Sequence, residues 1–321
     1  MASAIEQLPS GLTIGHAQLG MHGAQHGTIN QQVHDGDTVT TLGDGNLGIR
    51  FLGVDAPEVS FTLPGHKGFM PISNPAWEPF LTDPFAASLP PFDPPLSPEL
   101  HAFLTGRVGP GTAANHARLG GAASGALREM VRADVAALGQ TEATFQFFCA
   151  FAHEVMDGFG RLLCFLNRQQ PSATDPGPRP RSYNERMLQA GWVVPYFIWP
   201  NIDPFRRHGS LIDAVPQPGT ANTIAEQQGG ALQVARQFVH DARAQHLGLF
   251  EQGDPLRLLP FELRFLARRA APERWVIDLG RDDDALIVPQ AYFQVTAPED
   301  RLFIPAGYVP LFAEKGWHRP Q

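Results

Sequence analysis

The stretch VHDGDTVTTLGDGNLGIRFLGVDAPEV, Val33 to Val59, decides how the rest of this chain is read. It sets three carboxylates (Asp37, Asp55, Glu58) and one arginine (Arg50) on two short strands and the turn that leaves them. The first segment, from Asp37 to Leu42, is rich in Thr and Val. Gly43-Asp44-Gly45-Asn46 is strong turn chemistry, and an apolar run from Leu47 to Val54 follows, so the unit reads as a β-hairpin. Pro57 cannot donate to a sheet ladder and biases Ala56 towards extended backbone, which takes the chain off the sheet at Asp55-Ala56-Pro57. Strand ends beside turns are where a rigid scaffold presents chemistry. Strict alternation puts Arg50 and Asp55 on opposite faces; either a bulge at Gly53 resets the parity or Asp55 already lies in the turn. Taken singly, Asp-Gly-Asp and Asp-Ala-Pro-Glu would be an ordinary turn and an ordinary helix start.

Outward from the hairpin, residues 1–27 carry Gly, His and Gln without period and read as an irregular arm. Ile29–Val33 reads as a first strand running into the Asp-Gly-Asp turn, with His34 as an exposed turn residue. Residues 59–120 form a Pro/Gly-rich insertion, with nine prolines from Pro71 to Pro98 interleaved with aromatics. Proline at that density argues against helix and central strand, and the aromatics argue against disorder, so an ordered surface wrap is expected. Helical spacing then joins Leu127, Met130, Val131, Val135 and Leu138. Segments 144–151 and 162–166 read as strands flanking a turn at Asp157–Gly160. Ser182 with Glu185 is a capping box, Gly191 a helix stop, and Leu232, Ala235, Val239 and Ala242 share one helical face. Residues 251–321 read as a small β-rich C-terminal module built on 275–279, 285–288 and 292–295, with Asp282–Asp284 as a solvated hairpin tip.

Composition limits the function classes. The chain has 321 residues, ample for a sizeable core. Only 17% of residues are charged, and 32 Gly with 30 Pro imply much irregular backbone. A net charge of −8 argues against a general DNA-coating role, since such proteins are usually basic. Cys149 and Cys164 are too few for a disulfide framework and read as reduced, buried thiols. The first twenty residues lack the basic flank and apolar stretch of a signal peptide, and no apolar run approaches membrane-spanning length. A cytoplasmic location and no membrane partner are the expectations.

The order DGDT, IRFLGVDAPE, then Asp157-Gly158-Phe159-Gly160-Arg161-Leu162-Leu163, then Tyr183-Asn184-Glu185 with Met187-Leu188 and Gly191, resembles the staphylococcal nuclease-like (thermonuclease) family. The likeness covers roughly 28–58 and 120–250 and is interrupted by the insertion. It implies an α+β fold: a five-stranded OB-fold barrel with about three packed helices in a domain spanning 28–250, plus the insertion and the C-terminal module. It further implies a nuclease that hydrolyses DNA or RNA, preferring single strands and leaving 3′-phosphate and 5′-hydroxyl ends. Asp37, Asp55 and the carbonyl of Ala56 would hold Ca²⁺, with Mg²⁺ as the other hard cation such oxygen donors accept. Glu58 would activate water, and Arg50 and Arg161 would clamp the phosphate. Some family members have threonine where this chain has Ala56, and the best-known member has lysine and tyrosine where this chain has Gly158-Phe159. Phe159, Tyr196, Phe197 and Trp199 are weaker candidates for stacking on bases. Two other readings stay open: a binding or scaffold protein that has lost hydrolysis, and a nuclease held inactive until a protein partner engages the insertion or the C-terminal module.

Overall fold

The hairpin of the opening stretch grows into a barrel because both its strands have further edges to pair. The structure, a computed structural model, describes residues 5–7, 13–21, 28–43, 45–157, 161–204 and 209–320. Its principal strands are β1 (Thr13–Leu19), β2 (Thr38–Gly43), β3 (Gly45–Phe51), β4 (Gly53–Asp55), β5 (Gln146–Met156), β6 (Leu162–Arg168), β7 (Val194–Ile198), β8 (Trp275–Asp278) and β9 (Arg301–Ile304). β2 and β3 pair antiparallel, with Val39 opposite Ile49. β1 pairs antiparallel with β2 on one side and β5 on the other. β6 lies antiparallel to β5 and parallel to β3, with Leu163 beside Arg50. The ring therefore closes as β1-β2-β3-β6-β5-β1, a five-stranded barrel of OB-like order.

Alternation sorts the side chains of this barrel. Val39, Ile49, Phe51, Phe147, Cys149, Phe151, Leu162, Cys164 and Leu166 are buried in one core cluster. Arg50 and Leu163, on the opposite parity, belong to the outer wall. Cys149 and Cys164 are buried free thiols, as the composition suggested.

The helices used below are α1 (Trp77–Thr82), α2 (Pro98–Thr105), α3 (Thr112–Ala137), α4 (Tyr183–Gln189), α5 (Ala231–Ala244) and α6 (Pro260–Arg268). The Ser182–Glu185 capping box starts α4 as expected. No described helix is long and apolar enough to cross a membrane.

Four readings of the sequence need correction. Thr13–Leu19, within the supposed arm, is the first barrel strand; its inward residues include Gly15 and Ala17, too small to mark an alternating apolar pattern. Ile29–Gln32 is a helical turn, and the strand there is only Val33–Asp35. The proline-dense segment is not free of helix: Pro98 sits in the first turn of α2 behind a Ser97 cap, where a missing N–H costs nothing. In the C-terminal module, Pro289–Gln294 is 3₁₀ helix, and α6 precedes the strands.

A second, smaller sheet runs β8-β9-β7-β4. It joins the C-terminal strands to the short strand that ends in Asp55. Phe61, Trp77, Phe80, Leu100 and Leu104 from the Pro-rich segment share a second core with Phe261, Leu263, Phe265, Tyr292 and Phe303. The proline-rich and C-terminal segments thus form one packed body beside the barrel, and α6 lies in it.

α3 passes against the turn after β4 through small residues. A Cβ on Gly120 would lie 2.9 Å from the Pro57 carbonyl oxygen and 3.2 Å from that of Glu58. Gly121 and Gly125 have open space at the same position. Gly120→Ala is expected to lower unfolding free energy by about 1–3 kcal/mol through that clash. Gly125→Ala should raise it by up to about 1 kcal/mol through helix propensity. Urea titration of the two variants checks the pair: equal effects would mean α3 does not press on this turn.

Candidate functional site: a buried carboxylate–arginine cluster

The strand order brings Asp37 to the start of β2 and Arg50 to the neighbouring strand β3, with Thr38 opposite Arg50. The parity problem between Arg50 and Asp55 is resolved at Leu52-Gly53. The chain turns there, Gly53 takes φ +76°, and the new strand β4 restarts the alternation. Only glycine adopts that backbone at no steric cost. Arg50 Nη2 consequently donates to Asp55 Oδ1 at 2.6 Å, and Nη1 donates to Asp37 Oδ1 at 2.7 Å.

Asp37 ties the hairpin to the turn. Its Oδ1 also accepts from the Thr38 hydroxyl at 3.0 Å, and its Oδ2 accepts the Ala56 N–H at 2.7 Å. Ala56 is small where space is short: a Cβ on Gly36 would come within 3.0 Å of the Ala56 Cβ. The Glu58 N–H donates to Nε2 of His116, on α3, at 2.8 Å. That bond makes Nε2 the acceptor and keeps the imidazole neutral. Burial, with the Arg264 charge adding to it, pushes the His116 pKa down to about 3.

Arg264, on α6, completes the cluster. Its Nη1 donates to Asp55 Oδ1 at 2.8 Å and to Glu58 Oε1 at 2.6 Å, while Nη2 donates to Asp55 Oδ2 at 2.8 Å. The fork is bidentate on Asp55, the arrangement for which guanidinium geometry is suited. Asp37 and Asp55 have no exposed side-chain surface, and Glu58, Arg50 and Arg264 retain only 12–15%.

Burial and charge sort the protons. Burial pushes Asp35 well above the ordinary aspartate range, and the Asp37 carboxylate pushes it further. Burial also works against Asp37, but the Arg50 charge and the bonds from Asp35 and Ala56 outweigh it and hold Asp37 low. Burial raises Glu58 despite the Arg264 charge beside it. A raised carboxylate is a stronger base once ionised.

Arg50, Asp37, Asp55, Ala56 and Glu58 therefore converge as the motif suggested. Arg161 stands on the outer-wall parity of β6, where Gly48 leaves room for its stem, and Asp157 holds its Nε and Nη2 at 2.8 Å each. Phe159 lies outside the described residues. Tyr196, Phe197 and Trp199 are 7%, 3% and 1% exposed, so as stacking platforms they are corrected to packed side chains. Tyr196 stacks on Phe261, and Trp199 packs against Tyr308 and Phe312. The sequence reading missed Arg264, His116 and Asp35. Asp35 was in view inside the motif. His116 and Arg264 carried no local signal.

The cation site implied by the resemblance does not fit this arrangement as it stands. The donor chemistry is right, since all donors are oxygens. Yet both oxygens of Asp37 and both of Asp55 are taken by N–H or O–H donors, and Arg264 lies between Asp55 and Glu58 where a cation would meet both. No group of three or more His, Cys, Asp or Glu side chains among the described residues is arranged to hold a metal ion.

Fold and site together define an α+β protein with a closed five-stranded barrel of OB-like order and a desolvated carboxylate–arginine cluster on its outer wall. No family model matches the chain, and no curated protein matches it.

The Asp35 proton gives the fold a pH dependence. A carboxyl raised above its ordinary 3.8 holds a proton in the folded chain that the unfolded chain releases. Its contribution to stability is therefore complete below 3.8 and is lost as pH rises through the folded-state value. Asp35→Asn keeps the shape without the titration. As pH rises above 3.8 its melting temperature should fall less than that of the parent, measured by circular dichroism; parallel curves would mean Asp35 is not the titrating group.

Proposed function

We propose that the chain is a phosphodiesterase of the staphylococcal nuclease-like kind, acting on single-stranded DNA or RNA, with its acidic site closed by Arg264. The observation that carries the reading is the convergence of Asp37, Arg50, Asp55 and Glu58 in one desolvated cluster on the barrel's outer wall. Phosphodiester hydrolysis needs a base for water and positive charge to meet the developing negative charge. Glu58 is the base in this reading, and its raised pKa suits the task. Arg50 and Arg161 supply guanidinium groups to the phosphate. With Arg264 in place the carboxylates cannot meet Ca²⁺ or Mg²⁺, so metal-dependent cleavage requires α6 or its arginine to withdraw.

A second reading is a nucleic-acid-binding or scaffold protein in which Arg264 permanently replaces the cation. Its specific support is that one guanidinium satisfies both Asp55 oxygens and one Glu58 oxygen.

The two readings part on Arg264→Ala. The nuclease reading expects this variant to cleave a fluorescent single-stranded oligonucleotide in Ca²⁺ at least tenfold faster than the parent, and EDTA to abolish the gain. Adding Glu58→Gln should then lower turnover by about 10²–10⁴-fold, the usual contribution of a general base. Breaking a buried pair costs about 3–5 kcal/mol, so the melt of each variant is measured alongside to confirm folding at the assay temperature. A folded Arg264→Ala protein that binds the oligonucleotide and never cleaves it would leave the scaffold reading. Slower cleavage than the parent would make Arg264 a phosphate clamp.

A further inference from the structure

A cleft of about 230 Å³ opens beside the Arg264 helix, on the face that carries Arg264, walled by Tyr196, Phe261, Phe265, Arg264, Arg268 and Arg274. Three guanidinium groups share it with one carboxylate, the exposed Glu273. Arg264 is neutralised by Asp55 and Glu58. Among the described residues, Arg268 and Arg274 have no carboxylate in ion-pair range. Arg268 lies over the Phe61 ring at 5.2 Å, and Arg274 donates from Nη1 to the Tyr196 hydroxyl at 2.9 Å. The Arg274 Nε is buried with no acceptor, which leaves a donor unsatisfied at a cost unless a ligand meets it. Burial, with Arg264 and then Arg274 adding to it, draws the Arg268 pKa below the ordinary arginine value. Crowded cations, in a protein of net charge −8, form a local site for an anion.

We propose that this cleft seats the phosphate of a nucleotide, with Arg268 and Arg274 as donors. The inference rests on the nucleic-acid reading above and adds to it a binding site on the C-terminal segment, outside the barrel. The volume is too small for a duplex, which limits the ligand to a single nucleotide unit, either free or within a strand. Inorganic phosphate shares the recognised group without the base.

Titration calorimetry in EDTA at low salt tests the cleft without any metal or cleavage. The probes are inorganic phosphate, thymidine 5′-monophosphate and a thymidine oligonucleotide, against the parent, Arg268→Gln and Arg274→Gln. The expected result is binding of the mononucleotide by the parent, weakened at least about tenfold in each variant, as loss of a charge-assisted bond to phosphate requires. Tighter binding of the oligonucleotide than of the mononucleotide assigns the site to a strand; equal binding assigns it to a free nucleotide, and both support the cleft. Arg268 is exposed, so Arg268→Gln decides the matter if loss of the Tyr196 bond unfolds the other variant. Variants that bind as the parent does, or a parent that binds none of the three probes, overturn the proposal. Cleavage by Arg264→Ala without cleft binding would remove this inference alone. Cleft binding with no cleavage by any variant would remove the hydrolytic reading alone.

Discussion

The bidentate contact between Arg264 and Asp55 is the constraint on which the rest of the structure turns. Asp55 is fully desolvated, and an unpaired carboxylate there would cost several kcal/mol. Arg50 alone reaches one of its oxygens; Arg264 reaches both and extends to Glu58. The donors and acceptor are 209 residues apart in the chain, so the barrel cannot satisfy its own acidic turn until the C-terminal segment has docked. Counting charges gives the same result. Asp37, Asp55 and Glu58 face Arg50 and Arg264, and a fourth carboxyl, Asp35, is held towards its neutral form by burial and by Asp37. Adding another full negative charge to this cluster is opposed, so the protons distribute themselves among its members.

That contact explains why so much of the chain lies outside the barrel. α6 must be held at a fixed distance and angle for a guanidinium fork to meet two carboxylates. Its aromatic residues Phe261 and Phe265 are locked into the second core, Phe261 by Tyr196, Tyr292 and Phe303. The proline-rich segment supplies the other half of that core with Trp77, Leu100 and Leu104. Glu262 on the same helix is buried as well, bonded by the Tyr292 hydroxyl at 2.6 Å and capping the Leu259 N–H. Helix, aromatic core and proline-rich segment thus act as one support for a single arginine.

The hairpin and the acidic motif were legible because their signals are local: turn chemistry at 43–46, alternation on either side, and Pro57 at the exit. Local signals also placed α4, through its capping box, and the inner strand residues around Cys149 and Cys164. β1 was illegible because its inward side chains include Gly15 and Ala17, which fill a narrow interior without looking hydrophobic. The helices of the proline-rich segment were obscured because proline density was counted without regard to position, and a proline in the first helical turn favours a helix. Arg264 was invisible for a different reason. Nothing in an amphipathic helix says which of its arginines will face a carboxylate contributed from the other end of the chain. Gly120 is of the same kind: its meaning is the 2.9 Å between its missing Cβ and the Pro57 carbonyl oxygen.

The cluster also limits how the site can change state. Withdrawing Arg264 leaves the Asp55–Arg50 bond but strips Asp55 Oδ2 and Glu58 Oε1 of their donor. In a low-dielectric setting those oxygens must take a proton, water or another cation. Glu58, already raised by burial, accepts a proton more readily than Asp37, which Arg50 holds low. Arg264 also borders a cleft with two further guanidinium groups, and repulsion among the three raises the cost of parting it from its carboxylates unless an anion is present. Removing Arg264 from the carboxylates and placing negative charge in the cleft are therefore energetically linked: each lowers the cost of the other.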